Sequence, residues 1–287
     1  MSLPQPTDIF NITYTARGTT HDLNGSGTGY QIEYLGDQGF GLAPLHRITT
    51  RGPLQHGDSD IDFRLDPRIM QLPFVIKNTS NLPMYQHYVL RRHMLDIFRP
   101  ADSGIINVFA SNNLVSINRY INVRVLGGLT FDVDPVDYHI RTVVQLRADD
   151  PTWYDSISIN THTVTQPMFG NSYPVLNTGN WLSFPQIQAT GPITNLTITN
   201  STTGQALNIP GTIAAGTSYY FDLRYGYKTI WTGPNQTGTN VIDKISAASN
   251  LATFAIDAGS NTLLVTGTGL TAASQVIFTW QNRYTGI

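Results

Sequence analysis

The chain has 287 residues, 40% of them hydrophobic, with 17 Lys and Arg against 19 Asp and Glu and no cysteine. That length supports two domains with cores of their own, and a formal charge of −2 gives no global attraction to nucleic acid or to an anionic membrane surface. Without cysteine there are no disulfides, thiolate nucleophiles or cysteine-ligated metal sites, so packing and hydrogen bonds must hold the fold.

The opening stretch MSLPQPTDIFNITY has no basic segment followed by an apolar one, and no window approaches the length of a membrane span, so assembly in a cytoplasm is expected. "NGSGTGY" has alternating glycines but precedes a strand-like segment. Lacking a helix to present its N-terminus to a phosphate, it is expected to be a hairpin tip rather than a nucleotide site. "HGDSDIDFRLD" begins like a calcium loop, yet Phe63 stands where that loop needs glycine and Ile69 where it needs a bidentate glutamate. Period two gives a better account: Asp58, Asp60, Asp62 and Arg64 share one strand face and Ile61, Phe63 and Leu65 the other, a half-buried strand with a solvated acidic face.

"YQIEYL", "IDFRL", "LPFVIKN", "NRYINVRVLGGLTFDV" and "HIRTVVQLRA" predict strands between Gly, Pro and Asp punctuation. Pro83 to Phe98 breaks this pattern. There Met84, Tyr88, Leu90, Met94, Leu95, Ile97 and Phe98 fall on one broad helical side, with Arg92, Asp96 and Arg99 opposite, and Pro100 and Gly104 end the helix. Next, "VVQLRADDPTWYDS" places Asp149 and Asp150 side by side. Neighbours on a strand point to opposite faces and cannot converge on one bond, so the pair marks a strand exit, with Pro151 holding Asp150 extended. Nearly all Arg and Asp precede residue 155, and the rest is rich in Thr, Asn, Ser and Gly, which marks a domain boundary.

Beyond the turn-rich "INTHTVTQPMFGNSYPVLNTGNW", eight short strand-like segments from "PQIQATG" to "QVIFTWQNRY" predict a β-sandwich or jelly roll. Trp231 and Trp280, with Tyr219, Tyr220, Tyr225, Tyr227 and Tyr284, suit either a stacking platform for sugars or ordinary sheet packing. The seven histidines show no metal-ligand spacing; His87 and His93 lie six apart. No GxSxG elbow occurs, and no catalytic residue, cofactor or metal site is predicted. Five Asn-x-Ser/Thr matches, at Asn11, Asn78, Asn195, Asn200 and Asn235, reflect composition.

Taken in order, the Arg-containing helix ending in Pro, "NVRVLGGLTFDV", "VVQLRADDPTWYD" and "FPQIQATGPITNLTITNSTTGQALNIPGTIAAGTSYYFDL" resemble the distal tail protein family of siphoviruses, over nearly the whole chain. The resemblance implies a mainly β protein. Residues 1–155 would be a ring-forming domain with one helix, 156–180 a linker and 181–287 a galectin-like sandwich. It further implies a non-enzymatic hexameric ring at the virion tail tip, between the tail tube protein and tail-associated or receptor-binding proteins, with DNA passing through its centre. In such a ring Asp58, Asp60 and Asp62 are candidates to line the channel, where an acidic ring would repel phosphates without binding nucleic acid specifically. The alternative is an adhesion module that binds host cell-surface glycan through Trp231 and Trp280.

Overall fold

The computed structural model describes residues 9–23, 30–34, 36, 38–78, 84–111, 116–133 and 139–287. The chain divides into two compact units, Met1–Ser156 with Thr285–Ile287, and Ile157–Tyr284. Both are built from antiparallel strands, and the protein is mainly β.

In the first unit the strands are β1 (Ile9–Ala16), β2 (Thr19–Asp22), β3 (Tyr30–Tyr34), β4 (Leu45–Thr50), β5 (Ser59–Leu65), β6 (Arg68–Asn78), β7 (Ser103–Ser111), β8 (Ser116–Gly128), β9 (Asp132–Val133) and β10 (Ile140–Ala148), with helix α1 (Met84–Ile97) between β6 and β7. One sheet runs β2-β1-β7-β8-β10-β6-β3, β9 adds to β10, and β4 and β5 form a separate hairpin. Strict alternation builds the sheet. Ile140, Thr142, Val144, Leu146 and Ala148 face inward, and Arg141, Val143, Gln145 and Arg147 face out. Against the inward face pack Leu90, Met94, Ile97 and Phe98, with the Phe98 ring 4.7 Å from Tyr14 and 5.9 Å from Phe74. Truncating Phe98 to alanine in such a core costs about 3–5 kcal/mol. A bulge at Leu126, immediately before the "GGL" segment, interrupts the pairing of β8 with β10. Gly128 has φ +97, and a Cβ there would lie 2.0 Å from the Val143 carbonyl oxygen.

Strand β11 (Trp153–Thr165) leaves the first unit and continues into the second. There follow β12 (Ser172–Asn177), β13 (Gln186–Thr190), β14 (Ile193–Asn200), β15 (Gln205–Ile213), β16 (Ser218–Asp222), β17 (Thr229–Trp231), β18 (Gly259–Thr268) and β19 (Gln275–Tyr284). They make a sandwich of two sheets, β17-β16-β13-β19 and β12-β18-β14-β15. Ile187, Phe221, Ile230, Val276 and Phe278 of one sheet meet Ile193, Leu196, Ile198, Leu207, Leu263 and Val265 of the other in a single core. The abundant asparagines do structural work at its ends: buried Asn200 donates to the Ala255 carbonyl at 2.9 Å and to Asn261 at 3.0 Å. Burial of Asn200 also removes it as a glycan acceptor.

Three expectations need correction. The apolar side of α1 is narrower than predicted, because Tyr88 and Leu95 are exposed. At 3.6 residues per turn they lie about 140–160° around the helix from Leu90, outside the stripe that meets the sheet. Strand β5 is not half-buried, since Ile61 and Phe63 are as open as the aspartates. Nor do its aspartates share one face: a bulge at Ile61, between the pairs Ile48↔Asp62 and Thr49↔Asp60, breaks the period of two and puts Asp60 on the side of Arg47 and Phe63. The stretch 156–180 is largely strand, since β11 runs to Thr165 and β12 pairs with β18 from Ser172↔Leu264 to Asn177↔Gly259. The prolines and glycines of this stretch read as turn signals, but its threonines and valines are β-branched and suit strands. The segment "NGSGTG" lies outside the described residues.

Candidate functional site

At the end of β10 the two neighbouring aspartates turn to different partners. Arg147 Nε donates to Asp149 at 2.9 Å, whereas Asp150 accepts from the Thr152 hydroxyl at 2.8 Å, the Thr152 amide at 3.3 Å and the Tyr154 hydroxyl. Asp150 thus ties down the turn through Pro151, and the pair shapes a strand exit. Beside it lies an arginine that sequence reasoning passed over. Arg68 is 1% exposed; its guanidinium donates to the carbonyls of Pro151 at 2.9 Å, Gly39 at 2.5 Å, Gly41, and Thr285 at 2.7 Å, and it stands 5.9 Å from the Trp153 ring. Burial pushes its pKa down to about 10. Arg119 holds the Gly286 carbonyl at 2.6 Å and Ile287 donates to Phe40 at 3.1 Å, so the final residues are fastened into the first unit. The signal for Arg68 was its parity, shared with inward-facing Met70, Leu72 and Phe74.

The β4–β5 hairpin carries Asp58, Asp60 and Asp62. Arg51 meets Asp58 at 2.8 Å and Arg47 meets Asp60 at 2.6 Å, while Asp62 accepts from the Phe63 amide at 2.7 Å. These pairs are exposed, and each contributes little to stability. The same hairpin leaves Leu45, Ile48, Ile61 and Phe63 open, and Leu54 at its turn is fully exposed. A second uncovered surface is the outward face of the main sheet, where Ile69, Ile105, Leu126 and Val143 lie among Arg124, Arg141 and Arg147. Arg124 and Arg147 are cross-strand partners, so two like charges stand directly opposite each other.

In the second unit the two tryptophans part company. Trp280 belongs to the sandwich core, next to inward-facing Phe278 and Val276 of its own strand. Trp231 lies half-buried on the outward face and lines an open pocket of about 200 Å³ with Tyr220, Gln186, Gln188, Asp222 and the turn Pro234–Gln236. Tyr219 points to the core, and Tyr225 and Tyr227 are exposed. Near Asp222 lies Lys228, whose Nζ sits 3.4 Å from the centre of the Phe184 ring with no hydrogen-bond acceptor. Burial lowers its pKa to about 8, Arg283 adds to the shift, and Asp222 opposes it. Among the described residues no three His, Asp or Glu side chains gather as metal ligands, and no helix is long and apolar enough to cross a membrane.

No protein-family model matches the chain, and no curated protein matches it. Solved structures do. The crystal structure of SPP1 Dit (gp 19.1), described as a paradigm of the hub adsorption apparatus in phages infecting Gram-positive bacteria, is similar with a TM-score of 0.65 and 14% identity, over 95% of this chain and 98% of that one. A chain of the phage P2 baseplate in its activated conformation with Ca is similar with a TM-score of 0.53 and 8% identity, over 97% and 100%. The same baseplate with Sr gives 0.52 and 8%, again over 97% and 100%. The fold is therefore that of SPP1 Dit.

Proposed function

We propose that this chain is a structural subunit of a phage distal tail hub. Six copies close a ring through the first unit, the ring joins the tail tube protein to tail-associated or receptor-binding proteins, and DNA passes through its centre. The fold likeness, which extends over nearly the full length of both chains, supports the hub reading. The protein would be assembled in the host cytoplasm and reside at the virion tail tip, with no catalytic task.

One feature of the molecule carries the ring. The β4–β5 hairpin buries neither face, and an isolated two-stranded hairpin is at best marginally stable in water. Its apolar side chains need a surface, and the uncovered sheet face offers apolar residues ringed by arginines to a hairpin whose four carboxylates, Asp58, Asp60, Asp62 and Asp66, outnumber its three arginines, Arg47, Arg51 and Arg64. A hairpin of one copy laid on the sheet of the next is a head-to-tail contact, and such contacts close into rings. Channel lining by Asp58, Asp60 and Asp62 is part of the same proposal, but the bulge at Ile61 turns Asp60 to the side of Arg47 and Phe63 and Asp62 to the side of Ile48. The three therefore act from both faces of the hairpin, with Arg47 and Arg51 limiting their repulsion of phosphate.

Light scattering with negative-stain imaging tests this. Six-fold rings with an open centre, formed alone or on addition of purified tail tube protein, are expected. A protein that stays monomeric in both conditions overturns the reading.

A further inference from the structure

We infer that the second unit carries a saccharide subsite, in which the pocket beside Trp231 receives one neutral pyranose residue of a glycan. Strand register builds its floor. Trp231 pairs with Tyr220, Tyr220 with Gln188 and Gln188 with Ile277, so these four cross the sheet in one row; Asp222, Gln186 and Thr279 form the next. All face away from the core, opposite buried Ile187, Phe221 and Phe278. Beyond the edge strand, the turn Pro234–Gln236 forms a rim. Asn235 and Gln236 are both left-handed, with φ 52 and 62, a conformation disfavoured for residues other than glycine. Bonds from Thr232 N to Thr239 O at 3.0 Å and from Thr237 Oγ1 to Pro234 O at 2.7 Å hold that rim in place.

The chemistry of this surface suits a sugar ring. A pyranose offers a C–H face that packs on aromatic rings and a girdle of hydroxyls that each donate and accept, and the wall supplies both kinds of partner. Trp231 and Tyr220 provide flat apolar surface, and the amides of Gln186 and Gln188 can donate and accept within one plane. Asp222 is fixed by a fork from Arg224, Nε to Oδ1 at 2.9 Å and Nη2 to Oδ2 at 2.7 Å, which leaves lone pairs for hydroxyl donors and cancels its charge. A charge-compensated wall favours a neutral ligand over a phosphate or a cation. Trp231 Nε1 is shielded and has no acceptor, a shortfall that a ligand oxygen reached by a small ring movement would relieve.

Size narrows the ligand further. About 200 Å³ is smaller than the roughly 300–1,000 Å³ of pockets that enclose drug-sized molecules, so one ring enters and the rest of the glycan lies outside. The inference does not depend on ring assembly, because every element of the pocket comes from a single copy.

The full-length protein is to be titrated calorimetrically with chitotetraose, maltotetraose, cellotetraose and galactotetraose. Saturable binding of at least one, with Kd near or below about 1 mM, is expected. Trp231→Ala should weaken it about tenfold or more and Gln188→Ala about threefold, while Leu176→Ala, on the other sheet, leaves it unchanged. Should Trp231→Ala fail to fold, Gln188→Ala and Gln186→Ala carry the test, since both are outward polar positions. No saturable binding at about 10 mM of any of the four sugars overturns the inference, and so does binding that survives the Trp231 and glutamine substitutions undiminished.

Discussion

Replacing Arg68 by methionine keeps most of the stem's volume and removes every donor of the guanidinium. In the native protein that group serves four carbonyls, those of Gly39, Gly41, Pro151 and Thr285, from three separate stretches of the first unit. Hydrogen bonds to a charged group contribute about 1.5–3 kcal/mol each, but burying the cation has a cost that its lowered pKa of about 10 reflects. Breaking such a buried polar network costs about 3–5 kcal/mol net. At about 2–4 °C per kcal/mol for a unit of this size, the melting transition should fall by roughly 6–20 °C. Differential scanning calorimetry reads this directly, and Arg68→Lys should recover less than half of the loss, because an ammonium lacks the planar fork that reaches separate carbonyls. A loss below about 1 kcal/mol for Arg68→Met would refute the reasoning, since it would mean that the four carbonyls find water or other donors at little cost.

Substituting Ile61 and Phe63 together with aspartate should abolish ring formation while leaving the monomer's melting temperature within a degree or two, because neither side chain is buried in the chain itself; light scattering and calorimetry check both halves. Asp150→Ala removes the acceptor for Thr152 and Tyr154 and should lower stability by about 1–2 kcal/mol in chemical denaturation, with Asp149→Ala near neutral by comparison. Lys228 gives a pH signature. Its folded pKa lies near 8, below the ordinary lysine value, so between about 8 and 10.5 the unfolded chain binds more protons and stability rises with pH; below 8 the cost of the buried cation is fully present. Lys228→Met should therefore raise the melting temperature at pH 7 and flatten its rise between pH 8 and 10.

Much of the fold was legible because alternation encodes which side of a strand is buried. "HIRTVVQLRA" gave β10 and its inward face, and the short segments after residue 185 gave the sandwich strands. What alternation cannot encode is which molecule covers the apolar face. Ile61 and Phe63 carry the same pattern whether this chain's core or another copy lies against them, so β5 was expected to be half-buried and is not. The helix was overfilled for a related reason: a count of apolar residues ignores that only about a third of its circumference meets the sheet, which leaves Tyr88 and Leu95 outside. Among the candidate tryptophans the deciding fact was strand parity. Trp280 shares its strand's parity with Val276 and Phe278, which was visible in principle; Trp231 sits on a three-residue strand with too little sequence to fix its face. Nothing in the sequence announced Thr285–Ile287 as part of the first unit, because backbone carbonyls carry no sequence signal.

The uneven charge along the chain now has a physical account that separates the two units by the kind of contact each is built to make. Arginines in the first unit do two things that no other side chain does as well: Arg68 and Arg119 reach backbone carbonyls from separate segments, and Arg124 and Arg141 place positive charge on an uncovered sheet, where Arg147 is paired with Asp149. Oriented charge specifies register and excludes wrong partners, which is what a subunit contact requires. The second unit satisfies its buried loops with asparagine and threonine instead, and the charges nearest its pocket are compensated, as Asp222 is by Arg224. Interactions of that kind are short-ranged and little affected by salt, whereas exposed charge pairs are screened over about 10 Å at 0.1 M ionic strength. If copies align through the first unit and a neutral ligand settles on the second, as proposed, charge concentrated in the one and depleted in the other is the distribution that physical chemistry expects.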